Sequence, residues 1–173
     1  MLHPDISRLL VEQINKEFYS SYLYLAMSNY YADNNLDGFE NWFFVQAQEE
    51  RDHALLFRRY LLNEGECVTF AEINAPDAVF DSFKAPLLKS LEHEKFVTES
   101  INKIYTVASE HKDYRTLQVL NWFVKEQGEE EKNADDLIRK FDLFGADPKS
   151  LYMLNSELRS EERRVGKECR SRW

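Results

Sequence analysis

Apolar residues recur along most of this chain at alternating steps of three and four, the spacing that places side chains on one face of an α-helix. Long stretches pass without Gly or Pro, which favours helices over many short strands. Four stripes follow one another: Leu10, Ile14, Glu17, Ser21, Tyr24, Ser28, Tyr31; Phe39, Phe43, Gln46, Glu50, His53, Phe57, Tyr60; Leu87, Leu91, Glu94, Thr98, Ile101, Tyr105, Ala108; and Leu120, Phe123, Gln127, Glu130, Ala134, Leu137, Phe141. Each is the inward seam expected of a helix in a bundle, so the pattern predicts an all-α fold.

Turn and capping residues fall between the stripes. Asn34-Asn35 predicts the first turn, and Asp37 followed by Glu40 resembles a cap at the start of the second helix. Gly65 is expected to end that helix. The local signals therefore agree with the periodicity.

The second half of the chain carries similar signals. Asp81 or Ser82 can cap the third helix, residues 111–113 form a short polar break, and Gly145 closes the fourth helix. Pro148 then opens a short fifth helix, whose apolar side includes Leu151, Leu154 and Leu158. We predict one domain over residues 1–159. Residues 160–173 are mostly basic without a clear apolar face, and are expected to form a disordered tail or a cloning remnant, with a targeting or interaction arm as the alternative.

The link between the second and third helices is long. Residues 65–81 lack helical periodicity and, when extended, cover about 55 Å at roughly 3.3 Å per residue. A helix of about 27 residues is only about 40 Å long. The link can therefore cross the full length of the bundle, which predicts two antiparallel hairpins joined by one long crossover.

Charge, hydropathy and cysteine content indicate which partners and which cellular compartment to expect. The net charge of −9 argues against nucleic acid as a partner and suits a protein that attracts cations, although solubility alone also explains it. No apolar run reaches membrane-spanning length, and the N-terminus does not resemble a signal peptide. Cys67 and Cys169 are far apart and form no CxxC motif. We therefore expect a cytoplasmic protein with no membrane partner.

Polar residues interrupt the middle of every seam. Where a bundle normally places Leu, Ile or Phe, this chain has Glu17, Glu50, His53, Glu94, Gln127 and Glu130. Burying an unpaired carboxylate costs several kcal/mol, so these residues need a partner, and a cation is the simplest one. A single Glu-x-x-His is more often part of a solvated helix face. Six such positions on one layer predict a metal site.

The spacing places these residues together. Pairing the helices about turns near Asn34-Asn35 and Lys112 brings the polar residues of each hairpin to one level. Glu94, Gln127 and Glu130 also follow Glu17, Glu50 and His53 by the same 77 positions. Two matching half-sites predict a two-metal centre. Carboxylate oxygens with a single imidazole suit iron or manganese better than softer ions.

Other residues border this layer. Glu49, Glu126 and Glu129 lie beside the seams, where ordinary solvation of the helix is the simpler explanation for each alone. A nearby cation would relieve the repulsion within the acidic run of residues 126–131. Tyr24 follows Glu17 by two turns, and either packs in the core or donates a hydrogen bond or an electron beside a redox metal.

Four motifs resemble the ferritin family, specifically the bacterial non-haem ferritins, over residues 1–158. They are Glu17-Phe18-Tyr19-Ser20-Ser21-Tyr22-Leu23-Tyr24, Gln48-Glu49-Glu50-Arg51-Asp52-His53, His93-Glu94 and Glu126-Gln127-Gly128-Glu129-Glu130-Glu131-Lys132. The resemblance implies a homo-oligomeric cage of 24 subunits that encloses an iron mineral. It also implies ferroxidase activity, in which Fe(II) is oxidised by O2 or H2O2 and stored as Fe(III).

The same resemblance implies a role for each site residue. The first iron is expected on Glu17, Glu50 and His53, with Glu50 bridging to a second iron on Glu94 and Glu130. Gln127 is placed to hydrogen-bond bound oxygen species, and Tyr24 matches a tyrosine beside the ferroxidase centre. A third iron site is implied at Glu49, Glu126, Glu129 and Glu130. Because Gln127-x-x-Glu130 replaces a second Glu-x-x-His, the chain departs from bacterioferritins, and no haem is predicted.

Three alternatives remain. A rubrerythrin-like oxidase or peroxidase would keep the di-metal bundle, but the rubredoxin-bearing form needs CxxC pairs. A DNA-protecting mini-ferritin takes its ligands from two subunits and lacks the terminal helix. A cytokine-like interaction bundle would have apolar mid-seam layers, which acids interrupt here on all four helices.

Overall fold

The computed structural model describes the backbone of residues 2–171 and the side chains of residues 2–160. This part of the chain is helical apart from short turns and one long link, and contains no strand. The helices are α1 (Pro4–Asp33), α2 (Asp37–Asn63), α3 (Ala85–Glu110), α4 (Tyr114–Phe144) and α5 (Pro148–Ser171). Most residues of the four predicted stripes are buried, and the others, such as Ser21 and Gln46, are half-buried. The all-α prediction is confirmed.

Contacts across α1 establish the topology of the bundle. Ser21 and Ser28 donate hydrogen bonds to the carbonyls of Ala47 and Glu40, so α1 and α2 are antiparallel. Lys16 contacts Ser100 in α3, and Tyr31, later in α1, contacts Phe83 just before α3. Helix α1 is therefore also antiparallel to α3. Helices α2 and α3 are therefore parallel, as the long link predicts.

The crossover, residues 64–84, follows α1 from one end to the other. The carboxylate of Glu66 accepts a hydrogen bond from the Leu2 amide, and the Glu72 carbonyl accepts one from Asn15. Further along, Phe80 packs edge-on against Tyr30, near the end of α1. These contacts explain why a link without helical periodicity adopts a defined course.

The core is divided into two apolar clusters. One contains Ile6, Leu10, Phe57, Ile101 and Phe123, together with their neighbours. The other is at the opposite end and includes the buried residues Leu23, Tyr31, Phe39, Phe43, Leu137 and Leu154. Side chains in both clusters interdigitate, as in the stacked rings of Phe57 and Phe123, whose centroids are 3.9 Å apart. The polar mid-seam layer lies between the two clusters.

The start of α2 is capped differently from the prediction. Asp37 does not cap this helix, whose N-cap residue Leu36 makes no side-chain capping bond. Instead, Asn155 of α5 accepts hydrogen bonds from the amides of Gly38 and Phe39, at 2.8 and 3.3 Å, and donates one to Asp37. A side chain distant in sequence therefore satisfies the free amides of α2.

Gly38 is required by this contact. A Cβ atom built on it would lie 1.9 Å from the carbonyl oxygen of Asn155, closer than any real packing contact. The absence of a side chain lets α5 approach the first turn of α2. Leu154 and Leu158 are buried on the same side, and Arg159 pairs with Asp37.

The predicted cap of α3 is also wrong. The N-cap residue is Lys84, without a side-chain capping bond, and Ser82 takes part through its backbone carbonyl. At the other turns, Asp113 caps α4 and Asp147 accepts hydrogen bonds from the first amides of α5. Gly65 has a φ of +79° and follows the end of α2, as expected.

The fifth helix continues further than its apolar pattern predicts. Its backbone reaches Ser171, beyond the expected end of the domain at residue 159. Most of the tail predicted over residues 160–173 falls outside the described side chains, so the domain boundary stays a prediction. Among the described helices, none is apolar enough over a sufficient length to cross a bilayer.

Candidate metal centre

The mid-seam polar residues converge inside the bundle. Helix α1 contributes one residue, α2 two, α3 one and α4 two: Glu17, Glu50, His53, Glu94, Gln127 and Glu130. None of the six is more than 6% exposed. Each occupies a seam position where the helical repeat turns it towards the bundle axis, so the same periodicity that forms the core also assembles the polar layer.

Two groups of candidate ligands share one carboxylate. Glu17, Glu50 and His53 each present a ligand atom within 4.8 Å of the others, and so do Glu50, Glu94 and Glu130. His53 connects the groups, because its Nδ1 lies 3.7 Å from Glu50 and 3.9 Å from Glu130. Glu50 therefore lies where a carboxylate bridge between two cations would have to be.

Several carboxylate oxygens of this layer lack hydrogen-bond partners. Among the described residues, the buried oxygens without a hydrogen-bond partner are Oε2 of Glu17, both oxygens of Glu50 and Oε2 of Glu130. Leaving such atoms without partners is costly in a protein interior. Cations satisfy them, and carboxylate oxygens with a single imidazole suit iron or manganese.

The negative charges of these neighbouring carboxylates also repel one another. Burial raises the pKa of Glu50 and of Glu130 well above the usual range, and the surrounding carboxylates raise both further. Burial also raises the pKa of Glu94 to about 7, although hydrogen bonds from Tyr24 and Gln127 act in the opposite direction. Without a cation, the layer therefore retains protons that bound metal would displace.

Glu94 is held by two side chains that the sequence placed near it. The buried hydroxyl of Tyr24 donates a hydrogen bond to Oε1 of Glu94. Gln127 donates through Nε2 to Oε2 and to the backbone carbonyl of Glu94, at 3.1 and 3.3 Å. The amide of Gln127 thus orients a neighbouring carboxylate. Burial raises the pKa of Tyr24, and Glu94 raises it further, so its phenol retains the donating proton.

A chain of hydrogen bonds orients Glu17. The Lys16 ammonium can only donate, and it contacts the Ser100 hydroxyl at 2.5 Å. Ser100 therefore directs its own proton to Oε1 of Gln13, at 2.6 Å. Gln13 then donates through Nε2 to Oε1 of Glu17, at 2.8 Å. The other oxygen of Glu17 remains available to a cation.

Two residues of this hydrogen-bond chain, Gln13 and Ser100, were not predicted from the sequence. Gln13 is fully buried and precedes Glu17 by one helical turn, a spacing at which side chains meet. That spacing was the available signal for Gln13. No comparable signal marks Ser100, because its contact with Gln13 depends on how α3 packs against α1.

Only some of the residues of the implied third iron site lie close to one another. Glu126 joins His53 and Glu130 in a further group of candidate ligands. Glu49 and Glu126 line a cavity of about 420 Å³ between α2 and α4, beside His53 and Trp122. Glu129 instead forms a surface ion pair with Lys125, at 3.2 Å. Within the described residues, the candidate ligand groups include neither Glu49 nor Glu129.

The neighbouring histidine belongs to the packing around this centre. His93 is buried between Tyr19 and Tyr24, and its Nε2 lies 2.7 Å from the Ser20 hydroxyl. Burial lowers the pKa of His93 to about 4, so the ring is neutral at ordinary pH. Its partner is a hydroxyl rather than a cation.

Comparison with known proteins agrees with this architecture. Residues 7–144 match the family model of the ferritin-like domain. The chain is 38% identical to a bacterial non-heme ferritin of Campylobacter jejuni over 160 residues, which cover 92% of this chain and 96% of the relative. It is 36% identical to a bacterial non-heme ferritin of Staphylococcus saprophyticus, covering 91% and 95%.

Solved structures give the same result. A closed form of the Archaeoglobus fulgidus ferritin, engineered by mutagenesis, superposes with a TM-score of 0.89 at 37% identity, covering 91% of this chain and 96% of the other. The open-pore ferritin of the same archaeon gives 0.88 at 38% identity, with the same coverage. A family-model match over most of the chain, close relatives of nearly equal length and a shared fold lead to one conclusion: the chain belongs to the ferritin family.

Proposed function

We propose that this protein stores and detoxifies iron, and that it oxidises Fe(II) at a two-iron ferroxidase centre within each subunit. The observation that carries the proposal is the buried layer with two ligand groups joined at Glu50 and with unpaired carboxylate oxygens. Iron is both substrate and cargo. The protein provides binding, orientation and charge, while iron provides the redox chemistry.

Each side chain has a role in this proposal. Glu17, Glu50 and His53 bind the first Fe(II). Glu50 bridges to the second Fe(II), which Glu94 and Glu130 also bind. Tyr24 and Gln127 orient Glu94 by hydrogen bonds. Gln127 is also placed to hydrogen-bond bound oxygen species. Support comes from the shared position of Glu50 and from the hydrogen bonds on Glu94.

The reaction conserves atoms and electrons in either form. Two Fe(II) ions give one electron each to O2, which takes up two protons and leaves as H2O2. With H2O2 as the oxidant, the same two electrons and two protons yield two water molecules. The two Fe(III) ions then leave and hydrolyse to a ferric oxyhydroxide with release of protons. Four carboxylates offset the charge of the paired cations at the centre.

A third iron site beside the centre is part of the proposal. Glu49, Glu126, Glu129 and Glu130 would bind it, following the family resemblance. The group formed by Glu126, Glu130 and His53 supports this position, as does the cavity lined by Glu49 and Glu126. Glu129 must leave its ion pair with Lys125 to take part.

We also propose a homo-oligomeric cage of 24 subunits in the cytoplasm. The structural relatives are ferritins, and the fifth helix packs against the start of α2 through Asn155. Exposed apolar residues, namely Tyr152 and Met153 on that helix and Leu143 just before it, offer surface for other subunits. An exposed free thiol at Cys67 suits a reducing compartment. No haem or nucleic acid enters this proposal.

Anaerobic and aerobic iron titrations test the proposal. Metal-free protein is titrated with Fe(II) without oxygen to count bound ions, and then exposed to O2 while ferric absorbance is followed. Glu94→Gln and His53→Ala are compared with Glu92→Gln, a matched control because Glu92 is exposed on the same helix. We expect saturation near two or three ions per chain, depending on the third site, and fast oxidation only in wild type and the control.

The possible outcomes distinguish oxidation at the buried centre from passive storage of iron in the protein shell. Fast oxidation that survives in both centre variants would show that the buried layer is not the ferroxidase centre. Oxidation no faster than buffer in the wild type, with intact helical content, would reduce the protein to a passive storage shell.

A further inference from the structure

A second cluster of histidine and aspartate side chains lies away from the buried centre, at the end of the bundle. His3 is the N-cap residue of α1, and His111 is the C-cap residue of α3. Their rings stack with centroids 3.6 Å apart and planes 20° from parallel. Asp5 completes the set, and the three residues offer ligand atoms within 4.8 Å of one another.

The start of α1 is held in place although these side chains are exposed. The carboxylate of Glu66 accepts hydrogen bonds from the Leu2 amide and the Ser7 hydroxyl, both at 2.9 Å. These two bonds flank His3 and Asp5 in sequence and attach them to the crossover. His111 is equally constrained, because it lies in the tight turn between α3 and α4. The three side chains therefore start close together before any ion arrives.

The polar contacts of this cluster leave ligand atoms available. Nδ1 of His3 accepts only a long bond from the Asp5 amide, at 3.3 Å, and lies 3.6 Å from Oδ2 of Asp5. The Arg8 guanidinium lies by the other oxygen of Asp5, at 3.8 Å. Both rings are exposed, so each can turn about its Cβ–Cγ bond to direct a nitrogen towards a common point.

We propose that His3, Asp5 and His111 form a surface site for one divalent transition-metal ion. Two imidazoles and one carboxylate are the ligands that Zn²⁺, Cu²⁺ and Ni²⁺ prefer, whereas Mg²⁺ and Ca²⁺ prefer oxygen alone. The bound ion joins the start of α1 to the turn between α3 and α4. Its remaining coordination positions face solvent. The site is separate from the ferroxidase centre and differs from it in having two imidazoles.

The number of imidazoles gives a specific test. The chain has four histidines: His3, His53, His93 and His111. The buried centre contains only His53, and Nε2 of His93 is bonded to Ser20. An ion bound by two imidazole nitrogens must therefore be at the surface cluster. Cu(II) reports the number of bound nitrogens through hyperfine splitting in its electron paramagnetic resonance spectrum, and a spectrum with three or four nitrogens would assign the ion to backbone nitrogens beside His3 and overturn the proposal.

The experiment adds less than one equivalent of Cu(II) to the full-length assembled protein. We expect a spectrum with two equivalent nitrogens in the wild type. His3→Asn and His111→Asn should each remove one nitrogen, while Glu110→Gln, an exposed neighbour outside the cluster, should leave the spectrum unchanged. His3→Asn retains a capping side chain, so its fold should persist.

Calorimetry with Zn(II) is compared between the wild type and each histidine variant, because the buried centre is the same in all three proteins and only the surface site differs. Removing a residue that only hydrogen-bonds to a metal ligand lowers metal affinity by about 10–100-fold. Removing a ligand itself should therefore lower the Zn(II) affinity by at least about tenfold. Fe(II) oxidation should remain unchanged in both histidine variants, because the buried centre does not include them. A wild-type spectrum with one nitrogen or none, or a two-nitrogen spectrum that persists in His111→Asn, would overturn the proposal.

Discussion

Replacing Glu94 with Gln should stabilise the metal-free protein while weakening its metal binding. Gln has nearly the same shape as Glu, carries no charge and can still accept the hydrogen bond from Tyr24. Its NH2 group then faces Gln127, whose amide can turn to present its oxygen as the acceptor. The substitution therefore tests whether the buried layer pays a real electrostatic cost when no cation is present. If Glu94 only stabilised the fold, its replacement would instead lower the stability of the metal-free protein.

The size of the effect follows from the pKa of Glu94. Burial raises that pKa from 4.5 to about 7 in the folded protein. A pKa difference of one corresponds to about 1.4 kcal/mol, so ionising Glu94 in the folded state costs about 3 kcal/mol in unfolding free energy. The neighbouring carboxylates contribute to this cost, because they raise the pKa of Glu50 and Glu130 as well.

The sign depends on pH. Below about pH 4.5 the carboxyl of Glu94 is protonated in both states, so wild type and variant should have similar stability. Between pH 4.5 and about 7 the folded state binds more protons than the unfolded state, so wild-type stability falls as the pH rises. Above pH 7 the variant should be the more stable protein by about 3 kcal/mol.

Urea unfolding of chelator-treated protein at several pH values measures this difference, at equal protein concentration because the assembly is oligomeric. Glu92→Gln, the exposed control, should stay within about 0.5 kcal/mol of the wild type throughout. With Zn(II) at about 100 times its dissociation constant, the wild type gains about 2.7 kcal/mol and the advantage of the variant should largely disappear. A metal-free variant less stable than the wild type at pH 8 would refute the reasoning.

Three other substitutions test contacts away from Glu94. Gln13→Leu removes the donor that orients Glu17, and should weaken anaerobic Co(II) binding by about 10–100-fold, as read from visible absorption, without loss of helical content. Asn155→Ala removes the cap of α2 and should cost about 1 kcal/mol, which calorimetry would detect as a Tm lower by about 2–4 °C. Phe57→Ala opens a cavity against Phe123 and should cost about 3–5 kcal/mol in urea unfolding. Unchanged binding, Tm or unfolding free energy, respectively, would contradict these three predictions.

The helices and the polar layer were predictable because both depend on short-range spacing. A step of three or four residues determines which side chains share a helix face, whatever the helix later packs against. Glu17, Glu50 and Glu94 therefore stood out as acids on apolar seams, and the structure buries all three. That these particular residues bind iron is a proposal, which membership of the ferritin family supports.

Two helix-cap predictions failed, one because a distant segment supplies the cap and one because the backbone does. Asp37 and Ser82 fit the local rule for helix caps, but Asn155 caps α2 and the backbone closes the start of α3. The part of Glu129 in a third iron site stays a prediction: one helical step of about 100° from Glu130 places it at the surface, where it pairs with Lys125.

Local spacing along the chain was enough to specify the number of helices, the seams and the level at which acids replace apolar residues. Packing between the helices established which carboxylate oxygens are satisfied, through the donor chain from Lys16 and Ser100 to Gln13. It also brought His3 against His111. Such contacts depend on helix packing and on side-chain rotamers, because segments far apart in sequence meet at positions that no local repeat specifies.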